Sequence, residues 1–205
     1  MATHRNVRRT LGSYQVNRIN TTIRPGDCVL MGPPDLNTPP YVAKIVTIQS
    51  LDNNVEVKVR WYYRPEETKG GRTPYHGVNE VFLSDHFDTQ SVHSIVGTCT
   101  VHSYLSYIRR GVVDHNKDFF SRFKYFPTTG KFDPDRARVY CICEMPYNPD
   151  FLMIECEDCN DWYHPDCIGM SVDEAKQLDH FICQICVAKR STILHIRHAA
   201  ISRND

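Results

Sequence analysis

Seven of the nine cysteines in this 205-residue chain lie between positions 141 and 186, and His164 falls among them at a similar spacing. A spacer of one or two residues lets both side chains of a pair reach one metal ion, and eight such donors suit two tetrahedral Zn²⁺ ions. The spacing therefore predicts two zinc sites. The four pairs are Cys141 and Cys143, Cys156 and Cys159, His164 and Cys167, and Cys183 and Cys186.

Both predicted sites take all their ligands from the protein, which leaves no coordination position for a reacting water. Structural zinc sites are closed in this way, whereas catalytic zinc keeps one position open. The sequence also shows no nucleophile–base pair and no glycine-rich loop for phosphate. We therefore expect two structural Zn²⁺ ions in a binding protein that is not an enzyme.

The order of the ligands is four cysteines, one histidine and three cysteines, with Trp162 two residues before His164. This order closely resembles a PHD finger. A RING domain, the module of ubiquitin ligases, also has eight ligands, but its histidine falls earlier. The PHD resemblance implies a cross-braced arrangement, with Cys141, Cys143, His164 and Cys167 on one ion and Cys156, Cys159, Cys183 and Cys186 on the other.

The same resemblance implies a cage for trimethylated lysine 4 of histone H3. A trimethylammonium group cannot donate a hydrogen bond, so it is held by cation–π attraction and by burial of its methyl groups. A thioether is an acceptable wall for such a cage, and the alternative role for the tryptophan is core packing. The cage positions are Tyr140, Tyr147, Met153 and Trp162, and Glu157 and Asp158 are candidates to hold the preceding histone arginine.

Residues 21–136 are rich in β-branched and aromatic residues separated by turn signals such as Arg24–Asp27. Apolar and charged residues alternate along Val55–Trp61, which is the period of a half-buried strand. The pattern predicts a mostly β domain, a small twisted barrel-like sheet with long loops. Strands are expected at Cys28–Met31, Tyr41–Gln49, Val55–Tyr63 and Thr98–Ser103.

Three stretches of this domain, Tyr41–Ile45, Val59–Glu67 and Asn79–Asp88, resemble a BAH domain. A BAH domain followed directly by a PHD finger is similar to the plant Early Bolting in Short Days / Short Life family of floral repressors, which read methylated histone H3. The resemblance implies a second cage for trimethylated lysine 27, formed by Tyr41, Trp61 and Tyr63, with His86 and Asp88 contacting the histone tail. The alternative is that Trp61 and Tyr63 are core residues, because they continue the face of the preceding valines.

The domain organisation expected from these patterns is a basic, flexible segment at 1–20, the BAH domain at 21–136, the PHD-type finger at 139–187 and a tail at 188–205. The segment Ser171–Glu174 resembles a capping box and predicts a short helix late in the finger.

The numbers of basic and acidic residues are equal, 24 each, which argues against strong direct DNA binding. No stretch approaches the ~20 apolar residues that cross a bilayer. We expect a nuclear chromatin reader whose partners are methylated histone H3 tails and corepressors and which represses flowering genes. The alternative is a RING-like ubiquitin ligase or a zinc scaffold.

Overall fold

The computed structural model of the chain describes residues 8–33, 35, 37–51, 54–190 and 192. The chain divides into two compact units, Met1–Arg136 and Ala137–Asp205. No helix in the described ranges is long and apolar enough to cross a membrane.

The first unit is built on a nine-stranded sheet. Its elements are β1 (Arg8–Leu11), β2 (Tyr14–Val16), β3 (Thr21–Ile23), β4 (Cys28–Met31), β5 (Tyr41–Leu51), β6 (Asn54–Tyr63), β7 (Phe82–Ser91), β8 (Ile95–Ser103), α1 (Tyr104–Ile108), β9 (Asp118–Ser121), β10 (Lys124–Phe126) and β11 (Lys131–Asp133). The strand order in the sheet is β11-β10-β7-β6-β5-β4-β8-β9, with β1 pairing with β5. Neighbouring strands are antiparallel except in the parallel pairs β10–β7 and β8–β9. A mostly β, barrel-like domain is thereby confirmed.

The two faces of the sheet pack differently. On the inner face, alternate residues of β5 and β6, among them Ile45, Val57 and Val59, join a buried cluster that extends to β2 and β3. On the outer face, Val42 and Tyr62 form a second cluster. That cluster includes Val81 and Phe119, whereas Lys58 and Phe87 on the same face of the sheet are exposed.

The N-terminal segment differs from the expectation of a loose region over its described part. Residues 8–11 form β1, which runs antiparallel to the end of β5, and β2 pairs with β3. The side chains of β1 are mostly exposed, so the strand is held by backbone ladder bonds that leave no apolar pattern in the sequence. Residues 1–7 of the predicted flexible segment lie outside the described residues.

A buried ion pair joins the approach to β7 with the segment between β9 and β10. The Glu80 side chain is fully buried, and its two carboxylate oxygens accept from Arg122 Nε at 2.6 Å and Nη2 at 2.9 Å. Arg122 also donates to the Tyr75 carbonyl at 2.8 Å. The rings of Tyr104 and Phe123 lie 5.2 and 5.5 Å from the guanidinium carbon. A buried charge is tolerated only when it is paired and hydrogen-bonded in this way.

The second unit contains two small hairpins and a short helix. Strand β12 (Val139–Tyr140) pairs with β13 (Met145–Pro146), and β14 (Ile154–Glu155) pairs with β15 (Trp162–Tyr163). Helix α2 spans Val172–Lys176. Ser171 and Glu174 exchange both capping bonds at its start, which confirms the predicted capping box.

A further stretch, residues 184–190, is helical. It carries the last cysteine of the zinc pattern and enters the segment predicted as a tail. Apart from residue 192, the rest of that predicted tail lies outside the described residues.

Candidate functional site

The eight zinc-ligand candidates form two groups of four. Within each group the ligand atoms lie within 4.8 Å of one another, and the groups combine alternate pairs as a cross-brace requires. The first is Cys141, Cys143, His164 and Cys167, and the second is Cys156, Cys159, Cys183 and Cys186.

The spacing of these atoms fits zinc. A tetrahedral ion with Zn–S bonds of about 2.3 Å and Zn–N bonds of about 2.0 Å separates its ligand atoms by roughly 3.5–3.8 Å. The Cys159 and Cys183 sulfurs are 3.9 Å apart, and His164 Nδ1 lies 3.4 Å from the Cys143 sulfur. Two closed, structural zinc centres therefore match the donors present.

Backbone amides support the second centre. Cys156 is fully buried, and its sulfur accepts a hydrogen bond from the Cys183 amide at 3.3 Å. Burial alone would raise the pKa of the Cys156 thiol, but hydrogen bonds from the amides of Cys183, Cys159 and Asp158 outweigh it and lower the pKa to about 6. The site thus favours the thiolate, which is the form that binds zinc.

Three of the four finger residues predicted to form a cage share one hydrophobic cluster with the zinc ligands. Tyr140 and Tyr147 are partly buried in it, and Met153 is only 6% exposed. Trp162 lies outside that cluster on β15, opposite Glu155, and is 38% exposed. Met153 directly precedes β14, in which Glu155 is the register partner of Trp162.

The two acidic candidates for a histone arginine already have partners within the chain. His180 Nδ1 lies 2.7 Å from the Glu157 carboxylate, and the Arg190 guanidinium pairs with Asp158. Ion pairs this exposed are worth about 0–1 kcal/mol, so a peptide can displace them at low cost.

In the first unit, the five BAH residues singled out from the sequence surround one pocket of about 260 Å³. Tyr41 stands at the start of β5, Trp61 and Tyr63 at the end of β6, and His86 and Asp88 on β7. These strands are neighbours in the sheet. The pairing of three strands therefore brings together side chains that are up to 47 positions apart in the sequence, from Tyr41 to Asp88.

The aromatic rings of the pocket stand at steep angles to one another. The Tyr41 and Trp61 centroids are 6.1 Å apart with their planes at 76°. His86 lies 6.5 Å from Trp61 and 6.2 Å from Tyr63, and its Nδ1 is 2.9 Å from the Tyr63 hydroxyl. The walls are thus aromatic on several sides and are fixed by a hydrogen bond.

Trp61 lines the pocket and also packs against the core. Val57 and Val59 on the same face of β6 are fully buried, whereas Trp61 is half-buried and packs against the edge of their cluster. A register shift in the β6–β7 pairing between Arg60 and Tyr62 falls at this point. The inner face of β6 therefore leaves the core at Trp61, as a pocket at the strand end requires.

Two lining residues were missed by sequence reasoning, Tyr62 and Glu67. Glu67 ends the short turn Pro65–Glu67 after β6, and its carboxylate accepts from the Arg64 amide at 2.6 Å. Burial is the main cause that raises the pKa of this carboxyl. Its only signal in the sequence is an acidic pair, Glu66 and Glu67, that follows the three aromatic residues Trp61–Tyr63 after two intervening residues.

Comparison with known proteins agrees with both units. Residues 21–136 match the BAH domain family, and residues 137–196 match the UBR7-like PHD finger family. The chain is 48% identical over 48 residues to the Danio rerio lysine-specific demethylase phf2, but that match covers 23% of this chain and 4% of the demethylase. The similarity to that enzyme is therefore a partial domain match.

Two relatives match over most of their length. The chain is 55% identical to the Arabidopsis thaliana chromatin remodeling protein EBS over 87% of this chain and 76% of EBS. It is 49% identical to the Arabidopsis thaliana chromatin remodeling protein SHL over 97% of this chain and 87% of SHL. The chain therefore belongs to the family of BAH–PHD proteins that includes EBS and SHL.

Proposed function

We propose that this protein is a nuclear chromatin reader with two histone-binding heads. The BAH pocket binds histone H3 trimethylated at lysine 27, and the PHD finger binds histone H3 trimethylated at lysine 4. By bringing corepressors to marked nucleosomes, it represses flowering genes. Membership of the family of EBS and SHL supports the role in chromatin, and the resemblance of the two units to methyl-lysine readers is the ground for the assignment of marks.

The observation that carries the proposal is the make-up of the BAH pocket. Tyr41, Trp61 and Tyr63 line it with aromatic rings, and its two carboxylates come from Glu67 and Asp88. No lysine or arginine is among its described lining residues. Aromatic faces and negative charge both attract a cation, and a desolvated cation–π contact is worth about 2 kcal/mol.

The hydrogen bonds of these carboxylates favour a trimethylated over an unmodified lysine. Asp88 already accepts from the Thr89 amide at 2.7 Å and from Gln90 Nε2 at 2.6 Å, and Glu67 accepts from the Arg64 amide. An unmodified ammonium must replace three hydrogen bonds to water when it enters a pocket. A trimethylammonium group has no hydrogen-bond donor, so it gives up no hydrogen bonds to water when it enters the pocket.

The finger offers a strand edge as well as a cage. In the described part of the chain β14 pairs only with β15, so its second edge is open for a histone tail to add as a strand. The Trp162 indole, 38% exposed, would stand beside that added strand with Met153, Tyr140 and Tyr147 behind it. Glu157 and Asp158 would exchange their in-chain partners for the histone arginine.

The proposal is tested by calorimetric titration of histone H3 peptides into the zinc-loaded full chain. A peptide trimethylated at lysine 4 and one trimethylated at lysine 27 should each bind at one site, and the second should still bind after the first has saturated the protein. Unmodified peptides should bind at least tenfold more weakly. If neither methylated peptide binds more tightly than its unmodified counterpart, the pockets are not methyl-lysine sites.

A further inference from the structure

The outer face of the sheet carries a group of cations that neither histone head uses. Lys44 on β5 is the register partner of Arg60 on β6, and Arg60 is the partner of Phe87 on β7. Lys58 lies two residues before Arg60 and so projects from the same face. We call Lys44, Lys58, Arg60 and Phe87 the open sheet face, because Lys44, Lys58 and Phe87 are exposed.

The cations of this face, Lys44, Lys58 and Arg60, have no ion-pair partner among the described residues. Glu56, which is two residues before Lys58 and so lies on the same face of β6, pairs with Arg8 at 3.5 Å. The two lysines are exposed and the arginine is half-buried.

An aromatic ring holds two of the cations in place. The Phe87 side chain is 47% exposed, and Lys58 Nζ and the Arg60 guanidinium carbon each lie 5.5 Å from its centroid. Arg60 Nε also donates to the Ser84 carbonyl. The cations are therefore directed by the fold, and the ring face they occupy is not free to stack on a base.

We propose that the open sheet face binds the phosphate backbone of duplex DNA. Three cations on adjacent strands, none of them in an ion pair among the described residues, suit a polyanion. Contacts to phosphates alone carry no base sequence information. Arg60 and Trp61 are consecutive residues of β6 and project to opposite faces. A histone tail in the BAH pocket and a DNA backbone on the outer face can therefore bind together, which suits a protein of a chromatin family.

The expected strength is low, in agreement with the equal numbers of acidic and basic residues. Each phosphate neutralised contributes about −0.9 to the slope of log K against log salt concentration on duplex DNA. Three contacts give a slope of about −2.7, which is a loss of about 40-fold in affinity between 50 and 200 mM salt.

The test measures binding of a fluorescent DNA duplex to the full chain over this salt range. Lys44→Ala/Lys58→Ala removes two exposed charges and should reduce the slope to about −0.9, since each contact contributes about −0.9. Arg60 is left intact because of its bond to Ser84. Lys117→Ala/Lys131→Ala removes two exposed lysines elsewhere on the same unit and should keep the wild-type slope.

Two further measurements separate this proposal from the histone-reading one. Lys44→Ala/Lys58→Ala should bind methylated histone peptides as tightly as the wild type, and Trp61→Ala should bind the duplex as tightly. A duplex slope unchanged by Lys44→Ala/Lys58→Ala, or lowered equally by the control pair, overturns the proposal. So does tighter binding of a single strand that is lost in Phe87→Leu, since that result would make the face a stacking platform.

Discussion

The indole of Trp61 meets the ring of Tyr41 edge-on across strands β5 and β6, with centroids 6.1 Å apart and planes at 76°. This contact forms a corner of the BAH pocket, in which the two rings are two adjoining walls. The corner exists because β6 leaves the core at Trp61 while Tyr41 stands at the beginning of the neighbouring strand. A group that enters the pocket is therefore approached by ring carbons from two directions.

The charge of the ligand should matter as much as its shape. In a peptide with trimethylated lysine 27, replacing the trimethylammonium by an uncharged tert-butyl group keeps the volume and removes the cation–π attraction. We expect binding to the BAH pocket to weaken by up to about 30-fold, equivalent to about 2 kcal/mol. Calorimetry on the two peptides measures this directly, and equal affinities would show that the rings select apolar bulk alone.

Releasing Asp158 should strengthen the finger. Arg190→Ala removes the in-chain cation from that carboxylate, so a histone arginine no longer has to displace it. Because exposed ion pairs are worth about 0.2–1 kcal/mol, we expect a gain of about 1.4- to fivefold for a peptide trimethylated at lysine 4. Arg190→Lys keeps the charge and should bind like the wild type. An affinity unchanged by Arg190→Ala would remove Asp158 from the binding site.

The buried Glu80–Arg122 pair should dominate the stability of the BAH domain. Arg122→Met leaves a buried carboxylate without a partner, which costs about 3–5 kcal/mol of unfolding free energy. Glu80→Gln/Arg122→Met should recover part of the loss, because the remaining group is neutral. Of the two tryptophans in the chain, a Trp162→Phe background leaves Trp61 as the reporter in denaturant unfolding. An unfolding free energy of Arg122→Met within about 1 kcal/mol of the wild-type value would contradict this prediction.

Asp118 gives the BAH domain a defined dependence on pH. Its hydrogen bond with His102, at 2.8 Å, is the main cause that lowers the pKa of its carboxyl. Because the pKa of Asp118 is lower in the folded than in the unfolded protein, its charged carboxylate stabilises the fold at pH values above the unfolded pKa of about 3.9. This stabilisation is lost as the pH falls through the pKa of the folded state. The gap in unfolding free energy between wild type and Asp118→Asn should thus be full at pH 6 and shrink below about pH 4.

The same Trp61 fluorescence measures this gap in the Trp162→Phe background. Asp133→Asn removes a carboxylate from an exposed pair with Lys124 and serves as the control with little gap at any pH. A gap for Asp118→Asn that stays constant or widens in acid would show that the carboxylate is not stabilised in its charged form.

The zinc centres were predictable from sequence because coordination chemistry fixes which residue types occur at which spacing. Both groups of ligands are those expected from the resemblance to a PHD finger. The alternation of Val55–Trp61 likewise predicted the inner face of β6, since a strand has a strict period of two. In each case the physical constraint acts between residues close together in the chain.

Features that depend on register between distant strands could not be predicted. Arg60 and Phe87 share a row only because of how β6 pairs with β7, and Glu80 finds Arg122 42 residues later. The strand Arg8–Leu11 was missed because backbone pairing with β5, not an apolar pattern, holds it in place. Nor does the sequence show that Asp158 meets Arg190, since an exposed pair leaves no periodic signal.

The central proposal is that two separate sites, the BAH pocket and the PHD finger, bind two separate marks. The most direct measurement is calorimetric titration of peptides trimethylated at lysine 4 or at lysine 27 into the wild type, Trp162→Ala and Trp61→Ala. The account predicts that Trp162→Ala loses only the lysine 4 mark and Trp61→Ala only the lysine 27 mark. Loss of both marks in one variant, or retention of both marks in both variants, would contradict it.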